Sequence, residues 1–492
     1  MNILKIHEKD NVAVALVAAV AGERVVVDGA EIVLAEDIPA GHKVALREIS
    51  EGENVIKYGF PIGHAKEKIA AGHHVHCHNL ASNLSGLLSY EYTPNYTELE
   101  KTVPGTFMGY KRKDGKVGIR NEVWIVPTVG CVNSIAKEIE DRSKGFARGS
   151  VEGVFSYAHP YGCSQLGEDH QNTQKALCGL INHPNAGAVL VLCLGCENNT
   201  AQQMKEMLGD YDTERIRFLV CQEVEDEISE GAKIVSELCD YAAQFEREEC
   251  TADKLIIGLK CGGSDGFSGI TANPLVGSFS DKLISGGGST ILTEVPEMFG
   301  AETILMNRCR TKEVFDDCVD LINNFKEYFR RHGEKINENP SPGNKAGGIS
   351  TLEDKSLGCT QKGGTAVVED VLSYGQPVQK NGLSLLQAPG NDLVASLSLA
   401  VSGAHMVLFT TGRGTPFGCP VPTVKISSNT NLFEHKKGWI DFNAGELAQG
   451  KSMETLTKEF YDFIMSVASG EKTKSERMDK RDLAIFKDGV TL

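Results

Sequence analysis

Between residues 123 and 245 the chain alternates short, unbroken apolar runs with longer stretches of helical spacing, a pattern that few architectures tolerate. The runs at 123–126, 154–158, 188–194 and 216–220 have strand length and are apolar but for Ser156 and Arg217, as expected of strands buried on both sides. Helices are predicted between them at 134–142, 169–181 and 201–208, and a long amphipathic stretch follows at 226–245. Strands of this kind alternating with helices predict a parallel sheet covered on both faces, a Rossmann-like α/β architecture. Ligands of such sheets bind beyond the carboxyl ends of the strands, so a site is expected there.

Each strand end delivers a glycine together with a cysteine or a polar residue. The first three are Pro127-Thr128-Val129-Gly130-Cys131, His159-Pro160-Tyr161-Gly162-Cys163-Ser164-Gln165 and Gly195-Cys196-Glu197-Asn198-Asn199. Beyond a charged separator at 246–254, strands are predicted at 255–259, 290–292 and 406–409, and helices at 312–331 and 453–468. There Lys260-Cys261-Gly262-Gly263-Ser264-Asp265-Gly266 and Thr410-Thr411-Gly412-Arg413-Gly414 repeat the theme. Glycines admit close backbone approach, and the helix N-termini that follow supply amides for anions. A polar small-molecule site is expected, with Cys163, Gln165, Glu197, Asn198, Ser264 and Asp265 as contacts. Arg120 with its neighbour Asn121, and Arg413, are placed to hold a carboxylate. No phosphate-loop or dinucleotide fingerprint is present.

Several groups leave alternatives open. Glu294 and Glu297 follow a strand and suit acid–base work, metal ligation or helix capping. His159 lies near Cys163, which keeps a cysteine nucleophile in play. Cys131, Cys163, Cys196, Cys261 and Cys359 suit an iron–sulfur cluster, whose usual ligands are thiolates; a small buried residue is the plainer reading of each. The Gly- and Pro-rich span 339–362, holding Lys345, is too long for an ordinary loop and is expected to be functional.

Residues 1–90 read as a small, mostly β domain, with Asp28-Gly29 as a type I′ hairpin turn. It ends in Gly72-His73-His74-Val75-His76-Cys77-His78-Asn79, four of the chain's thirteen histidines. On an extended strand His74, His76 and His78 share a face, which suits a metal. His42 lies in or near an earlier loop. Residues 91–105 lack periodicity and read as a linker, followed by α/β domains at 106–250 and 251–492. A net charge of −16 argues against nucleic acid or an anionic membrane as partner. No apolar stretch reaches the ~20 residues of a membrane span, and the N-terminus lacks a signal-peptide core, so a cytoplasmic location is expected.

These motifs resemble the altronate/galactarate dehydratase family. The similarity rests on Ile6-His7 with Asp10-Asn11-Val12-Ala13-Val14-Ala15-Leu16, on His74-Val75-His76 with His78-Asn79, and on the three strand-end loops between 127 and 199. Its most specific part runs from Asn339-Pro340-Ser341-Pro342-Gly343-Asn344-Lys345-Ala346-Gly347-Gly348 to Gly358-Cys359-Thr360-Gln361-Lys362. His73, where the family pattern has an acidic residue, and the extra Cys193 depart from it. The resemblance implies an N-terminal SAF-type β domain and a cytoplasmic hydro-lyase of hexuronate catabolism that converts D-altronate to 2-dehydro-3-deoxy-D-gluconate and water. It also implies a divalent metal, iron(II) (Fe2+) with manganese (Mn2+) as substitute; a 4Fe–4S cluster is the alternative. His76 and His78 are the expected ligands, with His74 and His42 next in line. His159, Lys345 and Glu297 are the candidate acid and base. A sugar acid is the expected partner, and a homodimer the assembly allowed for. The rival readings are a dehydratase of a galactarate-like or sulfo-acid substrate, an iron–sulfur dihydroxy-acid dehydratase, and a sensing module that binds without turnover. In the favoured reading the histidines are carried to the sheet edge, and the site forms between domains.

Overall fold

Asp28 and Gly29 make the hairpin turn that the sequence predicts. Val27 pairs with Ala30 across it, and both turn residues adopt positive φ, 50° and 80°. In the computed structural model, which describes residues 2–491, this hairpin decorates a small antiparallel domain. One of its sheets runs in the order Ile3–Leu4, Val12–Ala15, Lys43–Ala45, His74–Val75, and a second joins Asn54–Lys57, Phe60–Ala65 and Leu80–Ala81. The apolar core between them (Val12, Ile49, Val55, Ile62, Val75) continues into Ala301 and Leu357, which belong to the C-terminal part of the chain. The N-terminal domain is therefore docked by burial and not merely tethered.

Residues 91–105 have no regular structure, yet they are fastened to the surface they cross. Tyr92 Oη donates to the Cys309 carbonyl (2.9 Å), and the Asn95 and Thr102 amides donate to the Asn307 and Ser285 carbonyls. The charged separator contains a strand, Glu248–Thr251, paired antiparallel with Thr106–Lys111. Its alternation is hidden by glutamates, which also keep this exposed edge from pairing further.

The second domain carries the expected parallel sheet, in the order Val154–Ser156, Glu122–Pro127, Ala186–Cys193, Ile216–Val220. Helices Asn133–Ser143, Gly167–Ile181, Ala201–Leu208 and Glu227–Ala242 follow its strands in turn. Every residue of Ala186–Cys193 is buried, which is why that segment reads as an apolar run. The third domain holds a larger parallel sheet, ordered Val368–Leu372, Gly382–Leu386, Ser289–Leu292, Ile256–Cys261, Met406–Thr411, Thr423–Ser427, Phe442–Asn443. The span 339–362 forms the short helices Pro342–Ala346 and Leu352–Cys359. All eight residues of the second helix are buried, charges included, so it shows no amphipathic period.

Candidate active site between the first and third domains

His42 immediately precedes strand Lys43–Ala45, and His74 opens strand His74–Val75. Their antiparallel register, Lys43 opposite Val75 and Val44 opposite His74, brings the two rings together. His42 Nδ1 lies 3.0 Å from His74 Nε2. The strand stops at Val75 because Asn79 closes a turn: its Oδ1 accepts from the His76 amide (3.0 Å), and its Nδ2 donates to the His74 carbonyl (2.9 Å). The turn swings His76 against both other rings, with centroids 4.9 Å from His42 and 5.4 Å from His74. One ring nitrogen from each of His42, His74 and His76 lies within 4.8 Å of the others. His78 is exposed beside His74 and outside this trio. The expected strand face of His74, His76 and His78 is thus corrected to a trio in which His42, from the neighbouring strand, takes the third place.

The trio fits a divalent transition metal. His76 Nδ1 is buried with no hydrogen-bond partner among the described residues. Burial lowers His42, and pushes His74 down to about 4 and His76 to about 3, so the rings are held in the neutral, ligating form. His42 Nε2 faces the Ala346 carbonyl at 3.4 Å; a proton placed there leaves the Nδ1 lone pair directed at the trio.

Ala346 ends the helix Pro342–Ala346, which is wedged between the histidine domain and the strand ends of the large sheet. Asn344 Nδ2 donates to the Ser264 carbonyl (2.8 Å), the Gly266 amide donates to the Gly347 carbonyl (2.7 Å), and Arg413 Nη1 reaches the Gly343 carbonyl (3.4 Å). A Cβ on Gly348 (φ 102°) would lie 2.3 Å from the Gly41 carbonyl oxygen, so only glycine permits this approach. Lys345, Ser264, Asp265 and Arg413 are thereby gathered around one loop against the trio. Lys345 is half-buried and Arg413 exposed. The Ser264 hydroxyl is buried with no hydrogen-bond partner among the described residues. Asp265 is committed locally: burial pushes its carboxyl up, and it accepts from Ser268 (2.9 Å), Ser428 (2.8 Å) and Asn429 (3.1 Å). Its part is to join loops, not to face a substrate.

The docking surface is electrostatic at its centre. Lys43 Nζ and Lys57 Nζ each lie 2.9 Å from a different oxygen of Asp354, and all three side chains are buried. Burial alone would raise the Asp354 carboxyl, but the two lysines hold it far below the usual carboxylate range. Around this triad Lys43 Nζ also donates to the Gly348 carbonyl (2.8 Å), and Glu353 accepts from the Ser82 hydroxyl (2.9 Å) and the Asn83 amide (2.6 Å).

Glu297 sits deeper. Its Oε2 accepts from Cys261 Sγ (2.9 Å) and Cys359 Sγ (3.1 Å), and its Oε1 pairs with Lys355 Nζ (2.7 Å). Against its burial, Lys355 and Lys362 hold the carboxyl well below the usual carboxylate range. The cavity beside this centre, lined by Ser264, Asp354, Lys355 and Cys359, measures about 10 Å³, room for one water and not for a sugar acid. The acid–base reading of Glu297 is corrected accordingly: it fixes Lys355 and two thiols. Lys43 and Lys57 lie outside the site residues that the sequence suggests, and Lys355 and Lys362 belong to the span expected to be functional without a role assigned to them. Their only trace was the run Glu353-Asp354-Lys355 inside a glycine-rich span.

The remaining candidates lie in the second domain, and four are corrected. His159 is buried, with Nε2 2.8 Å from the Pro127 carbonyl and Nδ1 accepting from the Tyr161 amide, which leaves no nitrogen for catalysis. Arg120 is sealed against Glu476 (2.7 and 3.0 Å) and the Ile119, Val467 and Glu471 carbonyls, so it fastens the C-terminal segment. Asn121 bridges Arg112, Ser150 and Ala242. Glu197 accepts from the Leu194 and Gly195 amides and the Thr128 hydroxyl. Cys163, Gln165 and Asn198 stay together at the edge of the smaller sheet, where the Ser164 amide donates to Asn198 Oδ1 (2.7 Å) and the Gly162 amide to Gln165 Oε1 (3.0 Å).

The Arg120–Glu476 pair sets a pH dependence. Burial would raise Glu476, but Arg120 draws it from 4.5 down to about 2, so its stabilisation is complete above pH 4.5 and is lost as pH falls towards 2. Thermal melts should therefore show the wild type losing more stability than Glu476→Gln between pH 5 and 2; parallel losses would refute this.

A cavity of about 710 Å³ opens where strands of both sheets begin, away from the trio. Its two histidines are spent on backbone: His183 Nε2 on Ala404, and His405 on Val117 and Ile256. Among the described residues no helix is long and apolar enough to cross a membrane.

Three family models match this chain in series, one on the β domain that presents the histidines and two on the parallel α/β domains. They are the altronate/galactarate dehydratase SAF domain over residues 1–83, the D-galactarate dehydratase/altronate hydrolase second domain over 109–243, and the D-galactarate/altronate dehydratase C-terminal domain over 252–491. The chain belongs to the altronate/galactarate dehydratase family. It is 54% identical over 496 residues to altronate dehydratase of Escherichia coli (strain K12) and 55% identical over 498 residues to that of Bacillus subtilis (strain 168), in each case across 100% of both chains. Galactarate dehydratase (L-threo-forming) of Escherichia coli (strain K12) is 33% identical, covering 95% of this chain and 93% of the relative.

Proposed function

We propose that the chain is a hydro-lyase that dehydrates D-altronate to 2-dehydro-3-deoxy-D-gluconate and water in hexuronate catabolism. The observation that carries this reading is the end-to-end identity of 54–55% with two altronate dehydratases, against 33% with the galactarate enzyme. The meeting of the histidine trio with the Lys345 loop supports it from the side of chemistry.

In this reading His42, His74 and His76 hold iron(II), with manganese(II) as substitute. When bound, the metal supplies Lewis acidity to the substrate carboxylate and an adjacent hydroxyl. Arg413, exposed at the rim, attracts and orients the carboxylate. Lys345 takes the C2 proton; the electron pair released forms the C2–C3 double bond as the C3–O bond breaks. His78, exposed beside the trio, protonates the departing hydroxyl, which leaves as water, and the enol tautomerises to the 2-keto acid. Each proton-transfer group contributes about 10²–10⁴-fold. The fourteen cysteines form no disulfide among the described residues, which supports a reducing, cytoplasmic setting.

The test is anaerobic formation of 2-keto acid from D-altronate and from galactarate, with iron(II), manganese(II) or a chelator. Metal-dependent turnover of altronate, abolished by the chelator, is expected. Faster turnover of galactarate, or none of either acid, would overturn the proposal.

A further inference from the structure

Ten of the fourteen cysteines are buried and Cys77 is half-buried; Cys131, Cys163 and Cys196 alone are exposed among the described residues. Burial is the ordinary fate of a free cysteine, so exposed thiols call for a reason. These three fall in one place. They follow Glu122–Pro127, Val154–Ser156 and Ala186–Cys193, which are neighbours in the smaller sheet and run parallel.

The three loops are laced to one another. The Gly130 amide donates to the Tyr161 carbonyl (2.8 Å), the Asn199 amide to the Gly162 carbonyl (3.1 Å), and the Thr128 hydroxyl to Glu197 (2.7 Å). Each cysteine is thus next to a residue that crosses to another cysteine's loop. The approach is too close for side chains: a Cβ on Gly162 (φ 97°) would lie 2.0 Å from the Thr128 carbonyl oxygen. Ser164, beside Cys163, is held at φ 58°, in the left-handed region, where its amide donates to Asn198 Oδ1. Two buried atoms of these loops, Gln165 Nε2 and Asn199 Oδ1, have no hydrogen-bond partner among the described residues.

Each loop runs directly into a helix, Asn133–Ser143, Gly167–Ile181 or Ala201–Leu208, so three helix N-termini lie close to the three sulfurs in sequence. Their partial positive charge favours an anionic ligand held among the loops. Gln222 Nε2 donates to Cys196 Sγ at 3.4 Å. Cys261 and Cys359 are buried against Glu297 in the third domain and do not belong to this group.

We propose that Cys131, Cys163 and Cys196 bind a 4Fe–4S cluster through three thiolates, as a second centre distinct from the histidine trio, with one iron left open to water or to an oxygen of a small hydroxy acid. Three protein ligands leave that corner free, and the exposure of the loops makes it reachable. Transfer from a preformed synthetic cluster needs no oxidant: three protein thiols displace three small thiolates and hand each its proton, and water displaces the fourth small thiolate at the open iron.

The full chain, incubated anaerobically with such a preformed cluster and desalted, should turn brown and carry about four irons and four sulfides per chain. C131S, C163S and C196S should each lose most of this content while keeping the wild-type circular dichroism. C261S, C359S and H76A should keep it. Addition of D-altronate should shift the electron paramagnetic resonance spectrum of the dithionite-reduced cluster. Failure to retain a cluster, or its retention by the triple serine variant, overturns the proposal. Neither result bears on metal-dependent turnover at the histidine trio, whose failure would be seen separately in the keto-acid assay.

Discussion

His76→Ala should fold, lose its divalent metal, and dehydrate D-altronate about 10²–10³-fold more slowly, the effect expected when one electrostatic stabiliser is removed from a site. His76 carries the expectation because its Nδ1 is buried without a partner and its ring faces both other members of the trio. His78→Ala is the informative contrast. The trio leaves His78 outside, so this variant should retain metal while losing part of its rate. Metal analysis after gel filtration, alongside the keto-acid assay, separates the two. Metal lost from His78→Ala as well as from His76→Ala would restore the strand-face reading, and metal retained in His76→Ala would reject the geometry described here.

Asp354→Ala should be among the most destabilising single changes in the chain. It leaves Lys43 and Lys57 buried and charged with no counter-ion, and removing one partner from a buried ion pair costs about 3–5 kcal/mol. The loss should concentrate where the first and third domains meet. Denaturant unfolding should show a lower midpoint, and hydrogen exchange should quicken first in strands Lys43–Ala45 and Asn54–Lys57. Activity should fall with stability, because Lys43 adjoins His42 and also holds the Gly348 carbonyl. A melt indistinguishable from the wild type would show that the triad does not hold the domains together.

What the sequence revealed, and what it hid, follows from where each residue's partner lies. The Asp28-Gly29 turn and the helices Ala201–Leu208, Lys312–Arg331 and Met453–Ala468 are determined by neighbours a few positions away, and local pattern finds them. Strand Thr423–Ser427 lacks an apolar signature because it buries Lys425, and Val368–Leu372 because it carries Glu369 and Asp370. Helix Leu352–Cys359 lacks one because its charges are matched by Lys43, Lys57, Ser82 and Glu297, none of them local. The site shows the same division. That histidines gather at residue 74 is plain from spacing; that His42 joins them depends on the register between two strands. Arg120 and His159 resembled ligand contacts because arginine beside a glycine-containing turn, and histidine beside cysteine, look alike whether they face a cleft or a carbonyl. Only burial tells them apart.

The first domain's apolar core extends into Ala301 and Leu357, and its buried lysines close on Asp354, while the chain between the two domains only crosses the surface. The peptide connection therefore supplies proximity rather than shape. It keeps a matching surface at high effective concentration. A chain cut within residues 91–105 would hold its histidines in place as long as that surface stays closed, and dilution would act on it as on a bimolecular complex.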